Sequence, residues 1–149
     1  MKKIILTLAV AVFAASSAFA QLTDGKFNID YKASTINWHA EKVTGSGHDG
    51  TIRVSSGQVT VAKGNVSAGK MKVDMNGITC TDLSDAESNS NMINHLKSAD
   101  FFNTAAFPDA NFEIVSVKAE ADKSGNTHKI TGKFTIKGIT KEISFPAKV

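Results

Sequence analysis

The sequence predicts an all-β domain of about eight antiparallel strands with one short helix. The first observation is period-two alternation of apolar and polar residues, clearest in residues 36–41 and 71–75. Such alternation is typical of strands with one dry and one wet face. The second is turn chemistry between these runs, because pairs such as Lys137-Gly138 tolerate positive φ. Strands and turns in this order form a meander that curls into a barrel or a tight sandwich.

The strands follow from the alternating runs and the turns from the Gly, Asn and Ser residues between them. We expect strands at residues 27–31, 36–41, 51–54, 59–61, 71–75, 112–117, 130–137 and 143–149. We expect turns at Ser56-Gly57, Lys63-Gly64-Asn65, Asn76-Gly77, Ser124-Gly125-Asn126 and Lys137-Gly138.

One segment departs from the alternation and predicts a helix over residues 85–97. Ser84 and Glu87 have the spacing of a capping box, in which each side chain accepts from the other residue's backbone N–H. The apolar edge of this helix consists of Met92, Ile93 and Leu96. The acidic residues that we expect to serve its N-terminus are Asp82, Asp85 and Glu87.

The first twenty residues predict a secretory signal peptide. Lys2 and Lys3 precede an apolar run over residues 4–15, and Ala18-Phe19-Ala20 supplies a small-x-small cleavage pattern. The residue directly after that point is Gln21 and not a cysteine, so an N-terminal lipoprotein anchor is not expected. We therefore expect one domain at residues 21–149, exported to the periplasm or secreted beyond it, with no stable membrane anchor. Without the two lysines the mature domain has little net charge, which disfavours nucleic acid as a partner.

The residues that most often carry chemistry show no catalytic or metal-binding spacing. Cys80 is the only cysteine, so we expect no disulfide framework. It is interpreted as a half-buried apolar residue, with an intermolecular disulfide or a reactive thiol left open. The four histidines lie apart from one another and from Cys80: His39, His48, His95 and His128. We expect His39 to face solvent and His48 to lie in a loop. The sequence predicts no enzyme, no cofactor and no metal site.

Three ordered motifs carry a resemblance to a known family. They are H-L-K-S-A-D-F-F at residues 95–102, F-P with N-F at residues 107–112, and I-T-G-K-F-T-I-K-G-I-T-K at residues 130–141. The chain resembles the YceI-like family of exported bacterial proteins along the whole mature domain. The resemblance implies a lipocalin-like antiparallel β-barrel that holds a polyisoprenoid or similar long-chain lipid. Lys42 stands where many members have a histidine, so no role of that histidine is carried over, and Phe134 replaces the usual leucine.

Together, the alternation and the resemblance predict an apolar lining for the barrel. The expected lining residues are Trp38, Met71, Val73, Met75, Phe101, Phe102, Phe112, Phe134 and Ile136. An eight-stranded barrel is either filled by its own side chains or wide enough for one small ligand. Two functions therefore stay open: a carrier of an isoprenoid-type lipid, and a ligand-free extracytoplasmic domain that acts through its surface in adhesion or stress. The oligomeric state is open as well.

Overall fold

The computed structural model describes residues 22–43 and 45–149. The predicted signal peptide lies outside the described residues. The elements in chain order are β1 Gly25–Asn28, β2 Thr35–Glu41, β3 Gly47–Ala62, β4 Asn65–Cys80, α1 Ala86–Lys97, β5 Asp109–Ala119, β6 His128–Ile136 and β7 Ile139–Ala147. The described part of the chain thus has seven strands and one helix.

All seven strands belong to a single antiparallel sheet. The order is β1-β3-β4-β5-β6-β7, and β2 pairs with the first half of β3, beyond the part that pairs with β1. Within residues 22–43 and 45–149, no strand pairing joins β7 back to β1 or β2. Side chains from β2 to β7 nevertheless surround one common cavity, so the sheet curves into a barrel-like wall. The predicted antiparallel all-β fold with one short helix is confirmed.

Two expected turns are bulges inside long strands, and the first of them explains why the chain has seven strands where about eight were expected. The expected strands 51–54 and 59–61 form one continuous strand, β3, whose register shifts between Val54 and Ser56. Ser56-Gly57 is thus no turn, and the Ile29 side chain packs over Gly57. Residues that suit a turn also suit a bulge, since both need unusual backbone angles.

Asn76-Gly77 is the second of these bulges and lies inside β4. Asp74 pairs with Arg53 and Thr79 pairs with Thr51, so β4 carries several extra residues opposite β3 at this point. The Asp74 carboxylate accepts from the Asn76 N–H at 3.0 Å, which holds the bulge in place. The expected turn at this position was therefore wrong.

The other expected turns are present. Lys63 and Gly64 have φ of 54° and 71°, and Lys137 and Gly138 have 49° and 73°. Two successive positive-φ residues match the twist of a two-residue hairpin. Strand β1 ends at Asn28, short of the expected residue 31, because the Asp30 carboxylate accepts from the Lys32 N–H at 3.0 Å and turns the chain.

The helix has nearly the expected bounds but a different cap. Asp85 is the N-cap, and its carboxylate accepts from the Ser88 N–H at 2.7 Å. The expected capping box of Ser84 and Glu87 was therefore wrong by one residue. Ionised carboxylates make stronger hydrogen bonds to backbone N–H groups than hydroxyls do, which favours Asp85. This hydrogen bond also lowers the pKa of Asp85.

The helix covers one end of the sheet and completes the core. Leu96 is buried, and Met92 packs against the same cluster. The buried members of that cluster are Ile52, Val73, Met75, Ile78, Leu96 and Ala110. Among the described residues, no helix has the length and apolar character that a membrane crossing requires.

Candidate functional site

The inner face of the sheet encloses an apolar cavity of about 640 Å³. Strands β2 to β7, the helix and the loop after it all contribute to its wall. Only Thr35 and His39 among the lining residues are polar. The volume lies within the range of about 300–1,000 Å³ that is usual for sites that bury most of a small ligand.

All nine residues predicted from the sequence lie around this one cavity. They are Trp38, Met71, Val73, Met75, Phe101, Phe102, Phe112, Phe134 and Ile136. Further lining residues occupy the same faces of neighbouring strands and were not singled out: Ile36, Ile52, Ile78, Ala110, Ile143 and Phe145. Their alternation with polar neighbours was the available signal. That these residues contact a ligand stays a prediction.

Trp38 is fixed at the wall of the cavity by a hydrogen bond and a close backbone approach. Its indole Nε1–H donates to the Thr79 carbonyl oxygen at 3.0 Å, across β3. Gly50 lies between them, and a Cβ at that position would overlap both the indole ring and the Thr79 oxygen. The glycine therefore lets the indole lie flat against the sheet.

The loop after the helix brings aromatic rings to the mouth of the cavity. Phe101 and Phe102 pack edge to face with ring centroids 4.7 Å apart. The Lys137 ammonium donates to the carbonyl oxygens of Ala99 at 3.1 Å and Phe101 at 2.6 Å, which ties this loop to the β6–β7 hairpin. Phe107 does not line the cavity and packs beside Gly138 instead.

A second cavity of about 490 Å³ adjoins the first at this mouth. The two share five lining residues: Phe101, Phe102, Phe134, Ile136 and Ile143. Lys141 pairs across the sheet with Phe134 and so belongs to the inner side of β7. It lines the second cavity with Ile139 and Ile143. The combined space is apolar inside, and Asp100, Lys137 and Lys141 bring charged groups to the second cavity.

His39 belongs to the lining of the first cavity, and its imidazole is hydrogen-bonded to Asp49. Its Nδ1 lies 2.8 Å from the Asp49 carboxylate, and its side chain is 59% exposed, as expected for a solvent-facing residue. The hydrogen bond and the negative charge of Asp49 raise the pKa of His39. Its imidazole is therefore held by Asp49, its partner in the β2–β3 pairing.

A separate polar cluster lies where β3 begins and β4 ends. His48 Nδ1 is 2.9 Å from Asp82 Oδ2, and the Cys80 thiol donates to Asp82 Oδ1 at 3.1 Å. His48 is the second residue of β3 and does not lie in a loop as expected. Asp82 binds these two side chains rather than the helix N-terminus, so that expectation was wrong as well.

Hydrogen bonds and burial shift the pKa values of two groups in this cluster. The Cys80 thiol, His48 and the Asp49 N–H all bond to the Asp82 carboxylate and hold its pKa well below the usual range. Burial, followed by the bond to Asp82, raises the pKa of Cys80. Cys80 and Asp82 are two positions apart, but no local spacing connects them to His48, so the sequence contained little signal for the cluster.

Comparison with known proteins identifies the family. The family model for the YceI-like domain matches residues 27–149. The chain belongs to the YceI-like family. Protein YceI of Escherichia coli O17:K52:H18 (strain UMN026) is 34% identical over 149 residues, which cover 100% of this chain and 73% of the relative. Protein YceI of Salmonella newport (strain SL254) is also 34% identical, with the same two shares over 151 residues.

Two solved structures were compared with this chain, and BcnA supports the fold. BcnA of Burkholderia cenocepacia superimposes with a TM-score of 0.58 at 23% identity, over 77% of this chain and 67% of BcnA. A YceI protein of Campylobacter jejuni gives a TM-score of 0.44 at 16% identity, over 98% of this chain and 67% of that protein. The similarity to BcnA supports the YceI-like barrel as the fold of this chain.

Proposed function

We propose that this YceI-like protein is an exported binding protein, not an enzyme, that holds a long-chain isoprenoid-type lipid against the inner face of its sheet. The observation that carries the proposal is the cavity of about 640 Å³ whose lining is apolar except for Thr35 and His39. Family membership supports it, because a lipid-filled barrel is what the YceI-like motifs in the sequence implied.

The chemistry of the wall favours an uncharged, flexible hydrocarbon. Transfer of apolar groups from water contributes about 0.8 kcal/mol for each buried methylene. A prenyl chain supplies many such groups, and the ordering of the chain offsets part of the sum. The methionines Met71 and Met75 suit this ligand because their unbranched side chains adapt to irregular shapes.

The polar end of the lipid is expected at the mouth, beside Lys141. Lys137 is engaged by two carbonyl oxygens, so its ammonium is committed to the loop. Lys141 makes no hydrogen bond or ion pair within residues 22–43 and 45–149. A hydroxyl or phosphate head group placed there would keep its contact with water while the prenyl chain fills the two adjoining cavities.

A binding role agrees with the polar groups near the cavity. A general base must reach its substrate proton within hydrogen-bond distance. The His39 imidazole is bonded to Asp49 and exposed, which turns it away from an occupant of the cavity. Export is proposed from the signal-like residues 1–20 and places the protein in the periplasm or outside the cell.

Native mass spectrometry with an added long-chain polyprenol tests the proposal. The expected result is one lipid bound to each chain. Ile143→Lys places a charge in the lining, and Val115→Lys is the matched control on the outer face; the two residues are 38% and 51% exposed in the parent. We expect Ile143→Lys to weaken binding at least about tenfold, because it forces an ammonium against the hydrocarbon, while Val115→Lys binds like the parent.

Two results would contradict this function. A parent protein that stays free of lipid at saturating polyprenol would leave the alternative, an extracytoplasmic domain that acts through its surface. Equal binding by the Ile143→Lys and Val115→Lys variants would show that the lipid does not bind at the inner face. Circular dichroism of both variants checks that each keeps the β-sheet of the parent.

A further inference from the structure

Three side chains with nitrogen, sulfur and oxygen donors converge at the junction of β3 and β4. We propose that His48, Cys80 and Asp82 form a binding site for a zinc-like divalent transition metal ion, apart from the lipid cavity. Their donor atoms all lie within 4.8 Å of one another. None of the three residues lines the apolar cavity, so the site stands independently of the proposed lipid function.

The fold holds these three residues in place. Gly50 pairs with Cys80 in the β3–β4 ladder, and this register fixes the position of the thiol along the strands relative to His48. The Asp49 N–H donates to Asp82 Oδ1 at 3.0 Å. The Asn89 side-chain amide donates to the carbonyl oxygen of Cys80 at 2.9 Å, which fixes the backbone at the thiol. Hydrogen bonds from neighbouring residues to the metal ligands orient those ligands and raise the affinity for the metal.

The donor set matches the preferences of Zn²⁺. Zinc binds thiolate sulfur, imidazole nitrogen and carboxylate oxygen, at about 2.0–2.3 Å, in tetrahedral geometry. Neighbouring donors in such a site lie about 3.3–3.8 Å apart by that geometry. The distance of 2.9 Å between His48 Nδ1 and Asp82 Oδ2 is shorter, and the Cys80 Sγ lies 3.1 Å from the other carboxylate oxygen, Oδ1. The His48–Asp82 pair needs to open by only a few tenths of an ångström, and the donor atoms of all three residues already lie within 4.8 Å of one another.

Charge balance also fits a divalent cation. The metal replaces the thiol proton of Cys80, which leaves to solvent, and neutral His48 donates through Nδ1. The Cys80 thiolate and the Asp82 carboxylate then neutralise the two positive charges. Asp82 Oδ2 is the better placed oxygen, because Oδ1 already accepts the Asp49 N–H.

The site is accessible from one side. Cys80 is buried, while the His48 and Asp82 side chains are 24% and 31% exposed. A metal ion can therefore enter from solvent, meet the thiolate at the inner side and keep a water molecule in its fourth position. This is the open three-ligand arrangement known from zinc sites that retain a solvent ligand.

Titration with Co²⁺ and Zn²⁺ tests the site on the full domain, reduced and stripped of metal. We expect one Co²⁺ per chain with a thiolate-to-metal charge-transfer band, and displacement of Co²⁺ by Zn²⁺. Cys80→Ser keeps a hydroxyl for Asp82 but should lose the band, and His48→Gln should weaken binding at least about tenfold. His39→Gln is the matched control, because His39 pairs with Asp49 outside the cluster.

The proposal is overturned if Cys80→Ser binds either metal as tightly as the parent, or if Co²⁺ binds without a charge-transfer band. Thermal unfolding with and without Zn²⁺ distinguishes a variant that has lost a metal ligand from a variant that has lost its fold. The ion should raise the Tm of the parent and of His39→Gln, and leave the Tm of folded Cys80→Ser unchanged. Failure of the polyprenol experiment would leave these readouts unaffected.

Discussion

Gly132 shapes the cavity through the ring that covers it. Phe112 pairs with Phe134 across β5 and β6, and its ring extends over Gly132, where an added Cβ would overlap the ring and the Glu113 carbonyl oxygen. The ring therefore lies close to the sheet and reaches Phe145 at a centroid distance of 5.5 Å. A larger residue at 132 would push Phe112 into the space that we assign to lipid.

Gly132→Ala is expected to reduce both stability and lipid uptake. Overpacking of this kind costs about 2 kcal/mol of unfolding free energy, measurable by urea denaturation. Gly69→Ala is the control, because its Cβ would meet the flexible end of Ile114 at 3.0 Å and backbone only at 3.3 Å. Equal unfolding free energies for the two variants would show that the position of the Phe112 ring does not require a glycine at residue 132.

Trp38→Ala should weaken folding and lipid uptake together. The variant loses the indole packing and the hydrogen bond to the Thr79 carbonyl oxygen, at an expected cost of about 3 kcal/mol. Tyr31→Ala removes an exposed aromatic ring outside the strands and should leave both properties unchanged. If Trp38→Ala takes up polyprenol at the parent level, Trp38 does not belong to the binding surface.

The N-terminus of the helix depends on the ionised Asp85 carboxylate. Asp85→Ala removes the acceptor of the Ser88 N–H and should lower the Tm by a few degrees. Because the folded pKa of Asp85 is lowered from 3.8, its contribution is present above that pH and is lost as the pH falls through the folded value. The Tm difference between parent and variant should therefore shrink on acidification, as calorimetry at several pH values would show.

Asp85→Ser provides the matched control for that interpretation. Serine caps helices about as well as aspartate but carries no charge. Its Tm difference from Asp85→Ala should stay constant across the acidic range. A difference between the parent and Asp85→Ala that does not change with pH would contradict a charged cap.

Strand bounds show what local sequence can predict at the level of elements. Turns such as Lys63-Gly64 were predicted correctly, because positive φ at both residues leaves few alternatives to a hairpin. Ser56-Gly57 and Asn76-Gly77 were misread, because the same residues form bulges when a partner strand continues past them. Only the pairing of β3 with β4 distinguishes the two outcomes, and no local pattern contains that pairing.

The two candidate sites differ in how far the sequence predicts them. The lining of the cavity repeats with the period of each strand, so residues such as Met71 and Phe134 could be chosen before the structure was known. The cluster of His48, Cys80 and Asp82 depends on the register between Gly50 and Cys80. His48 is distant along the chain from Cys80 and Asp82, and only the folded sheet brings it to them.

At the level of the whole molecule, the proposed function requires a lipid chain on the inner face of the curved sheet. Photo-crosslinking with a diazirine-bearing prenyl probe, followed by peptide mass spectrometry, locates the ligand directly. We predict saturable labelling at Trp38, Met71 and Phe134, reduced by excess polyprenol. Labelling confined to outer residues such as Val115, or labelling that polyprenol does not reduce, would contradict the account.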